Sequence, residues 1–311
     1  MKTSSSIIVY ASLVGAAFGF VIPQARDSSS NSTTYNETQI LQLALTLEHL
    51  ESAFFSGALT AFNDTDFTDD GLPVWARGRF SEIASQEQSH VQLLTSTLGS
   101  NAVQACNYSF PYTSPASFAA LAQVLSGVGV SAYAGGAQYL TTKQYITNAA
   151  AILSTEARHA AWIAGPVNKG NPWSGPYDTP LTVGSAYSLG AQFITSCPSF
   201  NQLSVKAFPS LTLSNTTLGQ PSSVTAGNNV TVEGQYVAFF SGLNTTFVQV
   251  SNGQVVIPSN SMGTSYAVLT NSNGTATDDT ITAGVAVLQF PYGSGGDLET
   301  NGRMEMAEAM M

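Results

Sequence analysis

Two of the three histidines in this 311-residue chain stand three residues after a glutamate, at Glu87/His90 and Glu156/His159. Residues three apart share one face of a helix, so each pair aims a carboxylate and an imidazole in the same direction. Both pairs fall on apolar stripes of helical period. Phe80, Ile83, Ala84, Val91, Leu94 and Leu98 surround the first, and Tyr145, Ala149, Ile152, Ala160 and Ile163 surround the second. Glutamate is scarce, ten in the whole chain, so its recurrence at this offset constrains the fold strongly. A carboxylate buried among such neighbours needs a partner, and a bound cation supplies one.

The rest of the N-terminal half reads as helices around these two. Ala44, Leu47, Glu48, Glu51, Phe54, Phe55 and Ala58 form the stripe of a first helix, which embeds two more glutamates. An aspartate-rich stretch, residues 63–70, reads as a loop, and Pro73 marks the next start. Ser114-Pro115 reads as a cap and first turn for a third helix through Leu121, Leu125, Val128, Ala132 and Tyr133. Its glycines (Gly127, Gly129, Gly135, Gly136) cost helix propensity but permit close approach by a neighbour. A fifth helix carries Val183, Tyr187, Gly190 and Ile194 and stops before Pro198.

From about residue 208 the character changes to short β-branched runs separated by Asn/Gly/Ser turns, at residues 230–232, 246–250, 254–257, 266–270 and 285–290. The fold class expected is multidomain α + β: a four-helix bundle with a fifth helix, then an immunoglobulin-like β-sandwich. The expected boundaries are a signal peptide at 1–19, a disordered leader at 20–35, the helical bundle at 36–205, the β-sandwich at 208–292 and a disordered tail at 293–311. The β-region holds no histidine or cysteine and one glutamate, Glu233, so metal or nucleophilic chemistry belongs to the helices.

Several features point to an extracellular glycoprotein. Lys2 precedes a brief apolar run and Ala17-Phe18-Gly19 offers a small-x-small cleavage site, the pattern of a secretory signal. That run is too short to span a bilayer, and no transmembrane segment is expected. Sequons occur at Asn31, Asn36, Asn63, Asn107, Asn215, Asn229, Asn244 and Asn273. Glycans would help keep soluble a chain with only 9% charged residues. The net charge of −10 argues against nucleic acid as a partner. In an oxidising compartment Cys106 and Cys197 are expected to form one disulfide, tying the loop after the second helix to the end of the fifth.

A Glu-x-x-His on each of two helices, with single glutamates from two others, is how helical bundles hold di-iron and di-manganese centres. The stretches Leu45 to Phe55, Gln86 to His90 and Thr155 to Ala160 resemble the ferritin-like superfamily. They are most similar to secreted fungal ferritin-like proteins linked to stress response and sexual development, and to plant desiccation-related proteins. Val128 to Tyr133 and Pro176 to Leu181 fit the same pattern, so the resemblance spans roughly residues 36 to 205. It implies a ferritin-like bundle with Glu48, Glu87, His90, Glu156 and His159 as metal ligands and iron or manganese as cofactor. It favours Glu48 over Glu51, leaving Glu51 as a partner for an arginine or a supporting group, and His49, about 100° away on the helix, facing outward.

The pattern departs at one position. Rubrerythrin-like relatives carry a glutamate seven residues before an aromatic of the third helix, and counting back from Tyr133 puts Ser126 there. With a carboxylate absent, the site reads as incomplete: mononuclear, weak, or a buried hydrogen-bonded network. The function expected is therefore a secreted ferritin-like glycoprotein of stress or development with a degenerate metal site. The alternatives are a metal-dependent oxidase or ferroxidase, and a cell-wall-associated protein binding through sandwich aromatics such as Tyr236, Phe239 and Phe240. Whether the chain is an enzyme stays open on the sequence.

Overall fold

The helices begin and end where local chemistry satisfies their free backbone groups. α1 (Glu37–Ala61) opens on Asn36, whose Oδ1 accepts from the Gln39 N–H at 3.0 Å while its own N–H donates to Gln39 Oε1 at 2.9 Å. The aspartate-rich stretch expected as a loop contains a short helix, α2 (Asp64–Asp69), because Asn63 and Asp66 form the same reciprocal cap. α3 (Ala76–Leu98) ends at Gly99, in the left-handed region at φ 54°. α4 (Pro115–Gly136) starts on the Ser114 cap with proline in its first turn. α5 (Lys143–Trp162) runs into a π-helical turn, Ile163–Val167, where Pro166 offers no N–H and the Asn168 N–H reaches back to the Ile163 carbonyl at 2.9 Å. The computed structural model describes residues 33–290 apart from 200 and 202. The expected signal peptide, the leader up to residue 32, the Asn31 sequon and the tail at 293–311 lie outside the described residues.

α1 packs chiefly on α3, and α4 on α5. Phe54, Phe55, Phe80 and Phe118 are fully buried between them, with ring centroids 4.8 Å apart for Phe80–Phe118 and 5.0 Å for Phe54–Phe118. Fully burying each such ring is worth roughly 1.5–3 kcal/mol. α4 with its following turn, Pro115–Tyr139, is long and apolar enough to cross a membrane, a property the sequence reading did not credit to any segment after the N-terminal run. In this fold 72% of its apolar window is buried, as befits the central helix of a bundle.

The fifth helix is shorter than its periodicity suggests. α6 (Val183–Ala191) stops three residues before Ile194. The β-branched Ile194-Thr195 instead joins strand β2 (Ile194–Ser196), antiparallel to β1 (Asn107–Tyr108). The Cys106–Cys197 disulfide closes the same seam across a sequence separation of 91. In the chain-entropy treatment a loop of that length contributes about 4–5 kcal/mol.

Beyond it two antiparallel sheets stack. β3 (Leu211–Leu213), β4 (Pro221–Ala226) and β7 (Gln254–Val256) form one, in the order β3-β4-β7. β5 (Tyr236–Ser241), β6 (Asn244–Gln249), β8 (Gly263–Thr270) and β9 (Ile281–Phe290) form the other, in the order β6-β5-β8-β9. Residues 230–232, expected as a strand, run as an irregular link instead, because Asn228 and Asn229 take positive φ before them and Gly234 after. Val237, Phe239, Ala267 and Leu269 face the small sheet, whereas Ala238, Phe240, Tyr266 and Val268 face the other way. That second face meets the helices, so the large sheet is a middle layer buried on both sides. This is why β8 shows burial at nearly every position rather than alternation.

Tyr266 is the deepest link between the layers. It is 1% exposed, and its hydroxyl lies 2.9 Å from Ser131 Oγ and donates to the Gly127 carbonyl at 3.3 Å, both on α4. We expect Tyr266→Phe to lower unfolding stability by about 1 kcal/mol, and Tyr266→Ala by about 3–5 kcal/mol, in urea titrations. A phenylalanine variant as destabilised as the alanine variant would show that the hydroxyl, not the ring, anchors the sheet.

Candidate metal centre

Three helices bring the expected donors to one interior point. α1 contributes Glu48, α3 contributes Glu87 and His90, and α5 contributes Glu156 and His159. All five are buried, with Glu87 and Glu156 at 0% exposure. One ligand atom each from Glu48, Glu87, His90 and Glu156 lies within 4.8 Å of the others. His90 Nδ1 faces Glu48 Oε2 at 3.2 Å, Glu87 Oε2 at 3.2 Å and Glu156 Oε1 at 3.3 Å. His159 Nδ1 faces Glu87 Oε1 at 3.1 Å and Glu156 Oε2 at 3.6 Å.

Groups near the ligands fix their orientation. Tyr133 donates to Glu48 Oε1 at 2.5 Å, leaving Oε2 for the interior. His159 Nε2 sits 2.5 Å from Gln86 Oε1, which accepts its proton and turns Nδ1 toward the carboxylates. Such a bond on the far ring nitrogen is the usual support of a metal-binding histidine. Seven residues along α1 and α3, about 10 Å from Glu48 and Glu87, Phe55 and Phe80 close that side of the site.

Glu51, expected to pair with an arginine or stand back from the site, is inside it. It is 5% exposed, and its carboxyl approaches that of Glu156 across Gly129 of α4. A Cβ at position 129 would lie 3.1 Å from Glu51 Oε1 and 3.2 Å from Glu156 Oε2, so any side chain there would press on both carboxyls. Ser126, on the same stripe of α4, is fully buried and its hydroxyl has no hydrogen-bond partner. His49 does not face solvent freely. It is half-buried, with Nε2 donating to the Val103 carbonyl at 3.2 Å. Spacing alone put Glu51 on the stripe; the glycines of α4 signalled a close approach without its partner, and nothing marked Gln86 or Tyr133 as hydrogen-bond partners of the donors.

The electrostatics are those of a site short of positive charge. Four buried carboxylates face two imidazoles, and among the described residues no lysine or arginine lies within ion-pair distance of them. Burial pushes His90 down, but the carboxylates of Glu156, Glu48 and Glu87 that face it outweigh this and carry it up to about 12. Burial likewise opposes the charge on His159, yet Glu156 and Glu87 raise it to about 9. Glu48 rises to about 7, chiefly through burial, although the His90 bond pulls the other way. Glu51 goes well above the ordinary carboxylate range through burial first and then the charges of Glu156, Glu87 and Glu48.

These groups fit a metal. Glu87 Oε1, both Glu156 oxygens and His159 Nδ1 have no aligned hydrogen-bond partner although they lie close together. Atoms that crowd one region without pointing at each other are arranged for something between them. A mixed carboxylate–imidazole set suits a divalent transition-metal ion.

The remaining sequence-expected residues lie elsewhere. Cys106 and Cys197 are bonded at the bundle's edge, away from the cluster. Asn36, Asn63, Asn107, Asn229, Asn244 and Asn273 are exposed, and Asn215 is half-buried with its Nδ2 donating to the Pro221 carbonyl. Phe239 is buried in the sandwich core; Tyr236 and Phe240 are half-buried, so the three present no open aromatic platform.

Comparison with known proteins agrees with this geometry. Residues 36–169 match the family model of the ferritin-like domain, a span that contains α1 to α5 and every member of the cluster. Protein rds1 of Schizosaccharomyces pombe is 31% identical over 193 residues, which cover 60% of this chain and 48% of that protein. The chain thus spans about half the length of this curated relative. A ferritin-like helical region followed by antiparallel sheets is the architecture of the chain, and its buried Glu/His cluster can hold a metal ion.

The raised pKa values carry a sign. Histidines raised in the fold stabilise it fully below their unfolded value near 6.5, and that stability is lost as pH climbs through the folded value. Glu48, also raised, costs stability as pH passes from about 4.5 to about 7. The metal-free protein should therefore melt at progressively lower temperature from pH 6.5 to pH 9, the window set by His159. His159→Gln should flatten that decline, and equal slopes for both proteins in calorimetry would remove the assignment.

Proposed function

We propose that this chain is a secreted ferritin-like glycoprotein whose bundle binds iron or manganese at Glu48, Glu87, His90, Glu156 and His159, and which serves in stress or development. The observation that carries the metal reading is the unpaired set at the centre: buried carboxylate oxygens and an imidazole nitrogen in close array without aligned donors. Such groups are costly in an apolar interior unless a cation compensates them. The secretion reading rests on the N-terminal pattern and the eight sequons, and the physiological role on likeness to fungal ferritin-like proteins.

When bound, either metal supplies Lewis acidity and one-electron redox chemistry. The protein's part is to position and protect it. Glu48, held by Tyr133, and the two Glu-x-x-His pairs set the donors; Gln86 holds His159 in the ligating tautomer. Loading the site expels the protons that the imidazoles hold in the metal-free protein, so affinity should rise with pH.

A second reading, a metal-dependent oxidase, is favoured by one feature. A cavity of about 30 Å³ is lined by apolar side chains such as Ile40, Leu43, Leu47 and Ala132 together with Glu48, Glu51 and Tyr133. It has room for a molecule of one or two heavy atoms such as oxygen or peroxide.

Glycosylated chain purified without chelator should contain iron or manganese by elemental analysis, and digestion with an N-glycosidase should lower its apparent mass. Adding Mn²⁺ at a hundred times its Kd to stripped protein should stabilise it by about 2.7 kcal/mol. Glu87→Gln should abolish that gain, read against the variant's own metal-free melting temperature, because losing the carboxylate that faces His90 and His159 also lowers the stability of the metal-free protein. Metal-free purified protein with a melting temperature indifferent to Fe²⁺ and Mn²⁺ would eliminate the metal reading. Oxygen or peroxide turnover by loaded protein would decide for the oxidase.

A further inference from the structure

The cluster is two-sided. Glu87 turns Oε2 to His90 and Oε1 to His159, and Glu156 turns Oε1 to His90 and Oε2 to His159. Both carboxylates thus divide their oxygens between two imidazoles whose rings are nearly parallel and 6.4 Å apart. On the His90 side Glu48 Oε2 completes the set. On the His159 side the expected contributor is α4, and α4 offers only the hydrogen of Gly129 and the unpartnered hydroxyl of Ser126.

Glu51 occupies this gap. It stands three residues after Glu48 on α1, and its Oε1 flanks the empty Cβ position of Gly129 together with Glu156 Oε2, the oxygen turned to His159. We infer that Glu51 supplies from α1 the carboxylate that α4 lacks, so that the cluster takes two divalent cations, one on the His90 side and one on the His159 side. This rests on the metal-binding reading above and deepens it. Charge agrees: with both imidazoles neutral, four ionised carboxylates are balanced by two divalent cations, whereas one cation leaves two negative charges that only retained protons can neutralise. Three of the four cluster atoms without an aligned hydrogen-bond partner, Glu87 Oε1, Glu156 Oε2 and His159 Nδ1, lie on the His159 side that Glu51 completes, and the fourth, Glu156 Oε1, is turned to His90. The glycine at 129 follows from the same arrangement, since a side chain there would displace either carboxyl.

The bland role for Glu51 is a protonated carboxylic acid resting on Glu156, and a glutamine mimics that acid in shape and charge. Stripped full-length protein would be titrated with Mn²⁺, with stoichiometry read by calorimetry and the spectrum by electron paramagnetic resonance. Wild type should bind two Mn²⁺ per chain and give the broad signal of an exchange-coupled pair. Glu51→Gln, with its metal-free melting temperature confirming the fold, should bind one and give the six-line signal of isolated Mn²⁺. Two equivalents in Glu51→Gln would overturn the role of Glu51. One equivalent in wild type would overturn the second position and leave the metal-binding reading standing, and none in wild type would remove both.

Discussion

Four carboxylates taken out of water inside an apolar bundle are the constraint on which the structure turns. Glu48, Glu51, Glu87 and Glu156 have only His90 and His159 as cationic partners near enough to matter. Ionised carboxylates in such surroundings are tolerated only when paired, protonated or bound to a cation. The metal-free protein does the first two: its imidazoles hold their protons, and Glu48 and Glu51 are pushed toward the neutral form. A cation would do the third, and would displace those protons as it bound.

The same demand accounts for the composition of α4. A helix rich in glycine and serine sacrifices propensity, and here Gly129, Gly135 and Gly136 mark close approaches. Gly129 makes room for the Glu51 and Glu156 carboxyls. Gly127 and Ser131 receive the hydroxyl of Tyr266 from the middle sheet. Gly135 lies against the carbonyl of Leu181, where any side chain would collide with the backbone. One face of α4 therefore serves the cluster and another the sheet, so the β-region buttresses the helix that lines the site without contributing a donor to it.

Much of this was legible before any coordinates. The Glu-x-x-His pairs, the cap at Ser114-Pro115 and the β-branched runs of β6 to β9 are local signals with short-range physical causes, and they placed the long helices and four of the strands. The readings that differ involve competition between local and distant partners. Ile194 fits a helical stripe, yet pairing with β1 beside the disulfide claims it for a strand. Residues 230–232 have strand composition, but turns on both sides leave them no strand to pair with. The aspartates of residues 64–69 look like a loop until Asn63 and Asp66 are seen to cap each other.

By itself the sequence determined which helices carry donors and which face each donor occupies, because a helix repeats every 3.6 residues whatever surrounds it. It also determined that a β-region without histidine or cysteine follows the bundle. Only the tertiary structure decided how the donors divide between two imidazoles, that Glu51 stands among them, and that Ser126 leaves a gap which another helix reaches. The reason is geometric: periodicity fixes a residue's direction on its own helix, whereas its neighbours depend on how far one helix is shifted and turned against the next. That shift is set by packing across the whole core, by the phenylalanines and by the small residues of α4, and no single segment encodes it.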